Sequence, residues 1–266
     1  KTDSSVILYP VSGYGDSNLI NQLIQIEKPD AVMLVTDPRY FEWLFQIENQ
    51  IRKKIPIIYL NIWDDLPTPL YNKAFYESCD ALLAISKQTK FINELVLGDK
   101  AKQKVIEYVP HGLNHEIYKP IEDWNEGLKS FKSKIFNGEE KDFVLFFNSR
   151  NIRRKQIPDT MLAFKYFLDK LPKEKADKCC LILHTEVISD HGTDLEAIRK
   201  ILFSDYPKSI YFSQQKLSSE DLNRLYNIAD AQILLTSNEG WALTLTEAIL
   251  AGTPIIANVT GGMQDQ

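Results

Sequence analysis

The chain is 266 residues long, with 44% hydrophobic and 25% charged residues and a formal net charge of −5. This composition excludes a disordered or membrane-embedded class, and the negative balance without a dense basic stripe excludes a dedicated nucleic-acid surface built on phosphate neutralisation. The length suits two domains of ordinary size, each able to bury its own core, and the partner class that remains is a small molecule.

The first elements alternate strand and helix. Ser5–Val11 is a short β-rich run, followed by the turn-prone residues 12–16 and a helix over 17–27 with Leu19, Leu23 and Ile26 at helical spacing. Pro29-Asp30 introduces a buried strand at 31–35, which ends at Thr36-Asp37-Pro38. An aromatic-faced helix is predicted over 40–53 and a strand over 55–62, ending in Trp63-Asp64-Asp65. A helix over 72–78, a strand over 81–85, a helix over 87–97 capped by Ser86 and a strand over 105–109 complete this half. Such alternation predicts a parallel doubly wound sheet. The charged stretch 116–141, with Pro120, reads as a linker plus an entry helix, so the domains are expected at 1–120 and 121–266.

The second half opens with the apolar strand 142–148 and the basic loop Ser149-Arg150-Asn151-Ile152-Arg153-Arg154-Lys155. A helix over 158–171, a strand over 179–185, a helix over 194–203 and a short strand over 209–212 follow. Ser218 then starts a helix that runs to Ala229. Residues 231–235 form a buried run that ends in Ser237-Asn238-Glu239-Gly240. A helix starts near Trp241 and stops at Gly252, and Pro254 opens a second apolar run ending in Gly261-Gly262. Strand, loop, helix, strand and glycine loop spell a β-α-β unit, whose ligands sit at the carboxyl ends of its strands.

Cys79, Cys179 and Cys180 are odd in number and lack CxxC spacing, so they read as reduced core thiols of a cytoplasmic protein. No signal peptide is visible, and no apolar run approaches the ~20 residues of a spanning helix. The chain begins without Met and ends just after the glycine loop, so truncation at both ends is expected.

The stretch 236–262 closely resembles the nucleotide-sugar signature of retaining glycosyltransferases with the GT-B fold, in particular the GT4 family, or glycosyl transferases group 1. The residues that carry the resemblance are Glu239, Glu247 eight positions on, Ala248, Gly252-Thr253-Pro254 and Gly261-Gly262. Phrases at 79–86 and 109–114 extend it into the first half. The resemblance implies two Rossmann-like α/β domains facing a cleft, and transfer of a sugar from a nucleoside diphosphate to an acceptor hydroxyl with retention. Glu247 would take the ribose hydroxyls and Glu239 would lie near the donor sugar. Gly240, Trp241, Ala242 and Leu243 would offer backbone N–H groups at a helix start. Ser149, Arg150 and Lys155 would hold the donor phosphates, with Arg153 and Arg154 read as surface charges or secondary contacts. Trp241 reads equally as a pocket wall and as core.

No acidic pair stands at a convincing place for a metal, so no cofactor or metal is expected beyond the donor substrate, and fixed cations would neutralise the leaving diphosphate. Many family members have a His at the end of the strand matched by 31–36. Here the corresponding places hold Asp37 and, after the next strand, Asp64, each readable as a catalytic-centre contact or as a cap or turn residue. His111 and His184 are further candidates. The base is expected against residues 213–217. A nucleotide-sugar 2-epimerase and a non-catalytic nucleotide-sugar-binding module are the alternatives, the acceptor is left unnamed, and peripheral membrane contact stays open.

Overall fold

The computed structural model describes residues 5–266. It divides into two compact units after Pro110, each built on a parallel sheet. The first sheet contains β1 (Val32–Val35), β2 (Ile57–Asn61), β3 (Ala81–Ala84) and β4 (Val105–Tyr108), in that order across the sheet. The second contains β5 (Phe143–Asn148), β6 (Cys179–His184), β7 (Ile210–Ser213), β8 (Ala231–Leu234) and β9 (Ile255–Ala257), in the order β7-β6-β5-β8-β9. The order reverses between β5 and β8. In parallel sheets such a switch point is where ligands bind, at the carboxyl ends of the strands.

β5 and β6 read as apolar runs up to their last residues because both faces of the sheet are covered. Leu145 and Phe147 of β5 enter one core cluster with Leu181 and Leu183 of β6. Val144 and Phe146 enter the opposite cluster with Cys180 and Ile182. Helices begin where the sequence supplies caps: Ser86, Asp194 and Ser218 accept the amides of Thr89, Ala197 and Asp221 at 2.9, 2.9 and 3.1 Å. All three cysteines are buried free thiols, and burial pushes Cys79 and Cys180 up to about 12.

One device recurs in both units. Before β3, Asp80 donates its amide to the Ile57 carbonyl and accepts the Ile57 amide on its carboxylate, both at 2.8 Å. Before β8, Asp230 does the same to Val144, at 2.8 and 2.7 Å. Four residues ahead of each Asp stands a buried tyrosine, Tyr76 or Tyr226, whose hydroxyl accepts a 2.9 Å hydrogen bond from the Asn at the end of β2 or β5, Asn61 or Asn148. Each Asp thus satisfies an amide at the start of a strand, and each Asn–Tyr pair ties that strand's far end to the helix that precedes the Asp. Asp80 also holds Arg52 at 2.8 Å. Burial pushes the Asp80 carboxyl up, but Arg52 and the Ile57 amide more than reverse this and keep it below the usual range.

Three expectations need correction. Residues 6–11 form no strand, and Ile7 and Leu8 are exposed. The helix expected over 40–53 is broken into a 3-10 turn, Pro38–Phe41, and two short helices, Glu42–Phe45 and Glu48–Arg52. Phe41, Trp43, Leu44, Phe45, Ile47 and Ile51 all pack on one core. A continuous helix would spread them around its circumference, so the breaks let every side chain face inward. The division falls after Pro110 rather than near residue 120, because the supposed linker belongs to the second unit. Lys119 is bonded through its amide and carbonyl to Asn223, the Ile121 amide donates to Asn227 at 2.6 Å, and Tyr118 and Leu128 are core residues.

The closing Gly261-Gly262 pair is required by close approach. A Cβ on Gly261, whose φ is +51°, would lie 1.9 Å from the Glu239 carbonyl oxygen, and one on Gly262 would lie 2.2 Å from that of Gly240. The Gly262 amide donates to the Glu239 carbonyl at 3.0 Å. The turn after β9 is therefore the floor on which the loop after β8 rests.

Two substitutions test this frame by urea unfolding. Asp230→Ala strands the buried Val144 amide and is expected to cost about 1–3 kcal/mol, with Asp230→Asn less damaging because its amide oxygen can still accept. Gly261→Ala combines a steric clash with a left-handed backbone and is expected to cost about 2–4 kcal/mol.

Candidate functional site

The site is assembled from loops that leave the carboxyl ends of the second sheet. After β5 the chain passes through Ser149 and Arg150 to Asn151, a fully buried side chain. Its amide nitrogen donates to the carbonyls of Glu186 and Thr193 at 3.0 and 2.7 Å, and its oxygen accepts the Thr193 amide at 3.1 Å. Gly192 packs so closely on Asn151 that a Cβ there would lie 2.1 Å from its side-chain oxygen. The loop after β6 is thereby fastened to the loop after β5. A 3-10 turn, Arg153–Lys155, then brings the basic residues to the loop after β8.

There the two loops are joined by charge. Lys155, almost fully buried, donates to Oε2 of Glu239, and Arg154 Nη1 reaches the same oxygen at 2.9 Å and the Asn238 carbonyl at 2.5 Å. Backbone bonds run alongside, since the Arg154 carbonyl accepts the Ser237 amide at 2.9 Å and the Thr236 hydroxyl at 3.1 Å. Burial pulls the Lys155 pKa below the usual lysine value and Glu239 partly restores it. Two cations and a carboxylate thus meet at the crevice between β5 and β8, an arrangement able to exchange one anion for another.

The helix Leu243–Leu250 starts beside them. Ala242, its N-cap, has a left-handed backbone at φ +69°, a conformation that glycine adopts at less cost. Among the described residues, the backbone N–H groups of Gly240, Trp241, Ala242 and Leu243 donate to no protein acceptor, as a ligand-facing helix start requires. Trp241 is buried, with its indole N–H donating to Thr246 at 3.0 Å, so it serves packing rather than the pocket wall.

Glu247, one turn into the helix, accepts the Tyr226 hydroxyl on Oε2 at 2.5 Å. Burial pushes its carboxyl up, while the hydroxyls of Tyr226 and Tyr118 oppose that. A pocket of about 440 Å³ opens at the ends of β5, β6 and β7, lined by Asn148, Ser149, Arg150, His184, Thr185, Ser213–Lys216 and Thr244 among others. His184 Nδ1 lies 2.9 Å from the Ser213 hydroxyl, and burial holds its pKa below the usual value.

Sequence reasoning placed most of these residues correctly at strand ends and missed others. Of Arg153 and Arg154, both read as surface charges or secondary contacts, Arg154 is half-buried and bonded to Glu239, whereas Arg153 is exposed. Arg150 lines the pocket instead of sharing the Lys155 contact. Asn148, Asn151 and Tyr226 were not singled out, although the Tyr-x-x-x-Asp spacing shared with Tyr76 was a visible signal for the last. In the first unit, Asp37 caps the Pro38–Phe41 turn and is gripped by Arg39 on both carboxylate oxygens, at 2.9 and 2.5 Å. Arg39 holds this carboxyl below its usual range. Asp64 is half-buried after β2, and its carbonyl accepts from Gln88 at 3.4 Å. Among the described residues, no group of three or more His, Cys, Asp or Glu side chains is placed to hold a metal ion, and no helix is long and apolar enough to cross a membrane.

Comparison with known proteins matches this geometry to a fold. The Anabaena protein HepE, solved in complex with UDP and glucose, superposes with a TM-score of 0.67 at 14% identity, covering 94% of this chain and 65% of its own. Sucrose-phosphate synthase from Thermosynechococcus elongatus gives 0.66 at 17% identity, covering 93% and 60%. An alpha,alpha-trehalose 6-phosphate synthase from Burkholderia multivorans gives 0.70 at 12%, covering 93% and 61%. The chain therefore spans about 60–65% of the length of these structures. Comparison with curated proteins returned no match. The fold is GT-B, two parallel α/β units. The family model described as glycosyl transferases group 1 matches residues 129–266, more than half of the chain, and the chain belongs to that family.

Proposed function

We propose that the second unit binds a nucleoside-diphosphate sugar and that the protein transfers the sugar to an acceptor hydroxyl with retention of configuration. The observation that carries this reading is the meeting of Lys155 and Arg154 with Glu239 between the ends of β5 and β8, beside the pocket lined by Ser149 and Arg150. A buried ammonium held by a carboxylate is already oriented for phosphate oxygens. On donor binding the diphosphate takes up Lys155 and Arg150, while the amides of residues 240–243 face the sugar and its phosphate. Arg presents a planar fork and Lys a point charge, so the two divide the work of neutralising the leaving group. These fixed cations are assigned that task without a metal ion.

The base and ribose occupy the pocket at the ends of β5, β6 and β7, with Glu247 accepting the ribose hydroxyls, since an ionised carboxylate offers two acceptors to a vicinal diol. Glu239, freed from Lys155, lies by the donor sugar. On the acceptor side, Asp64 is retained as the contact to acceptor hydroxyls, and Asp37 is assigned its capping role. In a retaining transfer of this kind the departing phosphate itself assists deprotonation of the acceptor, so no strong base is demanded. The neighbours HepE, solved with UDP and glucose, and an E. coli trehalose-6-phosphate protein, bound with UDP-2-fluoro glucose, support a nucleoside-diphosphate sugar as the donor class.

Calorimetric titration with UDP, GDP and ADP, without added metal, tests the reading. One nucleotide is expected to bind, and Lys155→Ala and Glu247→Ala are each expected to weaken it about tenfold or more, the loss of one charge-assisted contact. If none binds to the folded chain, the donor assignment fails. Stability is expected to move the other way for the carboxyl. The raised pKa of Glu247 means that its contribution to stability is fully present below the unfolded-state value and is lost as pH rises through the folded-state value. Glu247→Gln is therefore expected to melt higher than the parent at neutral pH, with the difference vanishing in acid, while its nucleotide binding is weaker.

A further inference from the structure

The two units share the Asn–Tyr–Asp frame but differ in what the following helix brings to it. In the first unit the Asn61 amide donates to the Tyr76 hydroxyl at 2.9 Å and to Asn93 Oδ1 at 2.5 Å. Asn93 stands in the helix Lys87–Leu97 that follows β3. In the second unit the helix that follows β8 brings Glu247, which bonds the tyrosine hydroxyl rather than the Asn. The Asn–Tyr pair is thus common scaffold, and the carboxylate set against it is peculiar to the second unit.

The bonds there have a fixed direction. Asn148 Nδ2 donates to the Tyr226 hydroxyl oxygen at 2.9 Å, so the proton of that hydroxyl is turned to Glu247 Oε2, 2.5 Å away. An amide nitrogen cannot accept, and an ionised carboxylate cannot donate. Tyr226 is fully buried, and burial and then the Glu247 charge keep its hydroxyl protonated. Asn148 itself lines the pocket. The chain of bonds therefore runs from the pocket wall through a buried hydroxyl to a carboxylate on the neighbouring helix.

We propose that Tyr226 is a positioning residue for Glu247: its hydroxyl, turned by Asn148, holds one carboxylate oxygen so that the other is presented to the ribose diol. This rests on the reading of Glu247 as the ribose carboxylate. Besides Tyr226 from the helix Ser219–Ile228, the group facing Glu247 is Tyr118 from the segment that packs on this unit, which has Ser219 and Glu220 beside it. Of the two hydroxyls, that of Tyr226 is the one turned by Asn148.

The test uses the whole chain and four variants, Tyr226→Phe, Asn148→Ala, Tyr76→Phe and Glu247→Gln. Titrations use UDP, GDP and ADP, each beside its 2′,3′-dideoxy form. Tyr226→Phe is expected to weaken the ribose form about tenfold and leave the dideoxy form unchanged. Tyr76→Phe, which breaks the equivalent pair in the first unit, changes neither. In 13C-observed titration, the Glu247 carboxyl, identified by its loss in Glu247→Gln, moves to a higher pKa in Tyr226→Phe and not in Tyr76→Phe. Should Tyr226→Phe fail to fold, Asn148→Ala is read by the same carboxyl titration. Equal weakening of both nucleotide forms, or no weakening of either, overturns the proposal. If the parent chain binds no diphosphate, the donor reading fails and takes the presentation to ribose with it, and the carboxyl titration separates the rest: an unmoved Glu247 overturns the hold of Tyr226 on the carboxylate as well, and a raised one upholds that hold alone.

Discussion

A single carboxylate, Glu239, is held by an almost fully buried lysine and a half-buried arginine, and the geometry of the candidate site follows from that contact. Lys155 has little water around it, so its charge requires a counter-charge close by. Glu239 supplies one from the loop after β8, and the loop after β5 is pinned to it. Neither loop could reach the other if β5 and β8 were not neighbours at the point where the strand order reverses. Topology brings the strand ends together, and the ion pair fixes the final placement. The glycines at 261 and 262 complete the arrangement by letting the turn after β9 press against the backbone of Glu239 and Gly240.

The same strand-end logic operates in the first unit, with different side chains. Asp80 and Asp230 satisfy amides at the starts of β2 and β5, and Asn61 and Asn148, the last residues of those strands, are anchored to tyrosines. Yet the helix after β3 brings neutral Asn93, bonded to Asn61, whereas the helix after β8 brings Glu247, bonded to Tyr226, and at the end of β1 the acidic Asp37 is consumed by Arg39 as a cap. A parallel sheet does not by itself make a ligand site. What distinguishes the second unit is that ionised groups are left at the strand ends with pairings that a ligand can take over.

Much of this was legible in the sequence. The periodic segments and their caps, at Ser86, Asp194 and Ser218, fixed most helices within a residue or two, and the run of residues 236–262 located the loop, helix and glycine turn. Three things were not legible, for physical reasons. Whether an apolar run becomes a strand depends on a neighbour to pair with, so Ser5–Val11 looked like a strand and is not one. Whether an aromatic-rich helix stays continuous depends on how many sides the core offers, and residues 38–52 face one core on every turn. Which of four basic residues in residues 150–155 meets the acid depends on a tight 3-10 turn, so surface charge and secondary contact stayed open alike for Arg153 and Arg154. Spacing along a chain gives candidates, and the turn chooses among them.

The charges at this site are arranged against the stability of the fold rather than for it. Lys155 is pulled down by burial and Glu247 is pushed up by it, and in each case a neighbour opposes the shift: Glu239 for Lys155, Tyr226 and Tyr118 for Glu247. Apolar side chains of similar volume would relieve both penalties, and the second sheet's two apolar clusters show that the surrounding elements can build such packing. A fold that retains a buried cation beside a buried carboxylate at one end of its sheet, while filling the rest with Leu, Ile and Phe, has its polar groups where an anionic diol-bearing ligand would meet them. The ligand would then supply the charge and the hydroxyls that these groups lack, and its binding would be coupled to the stability of the unit.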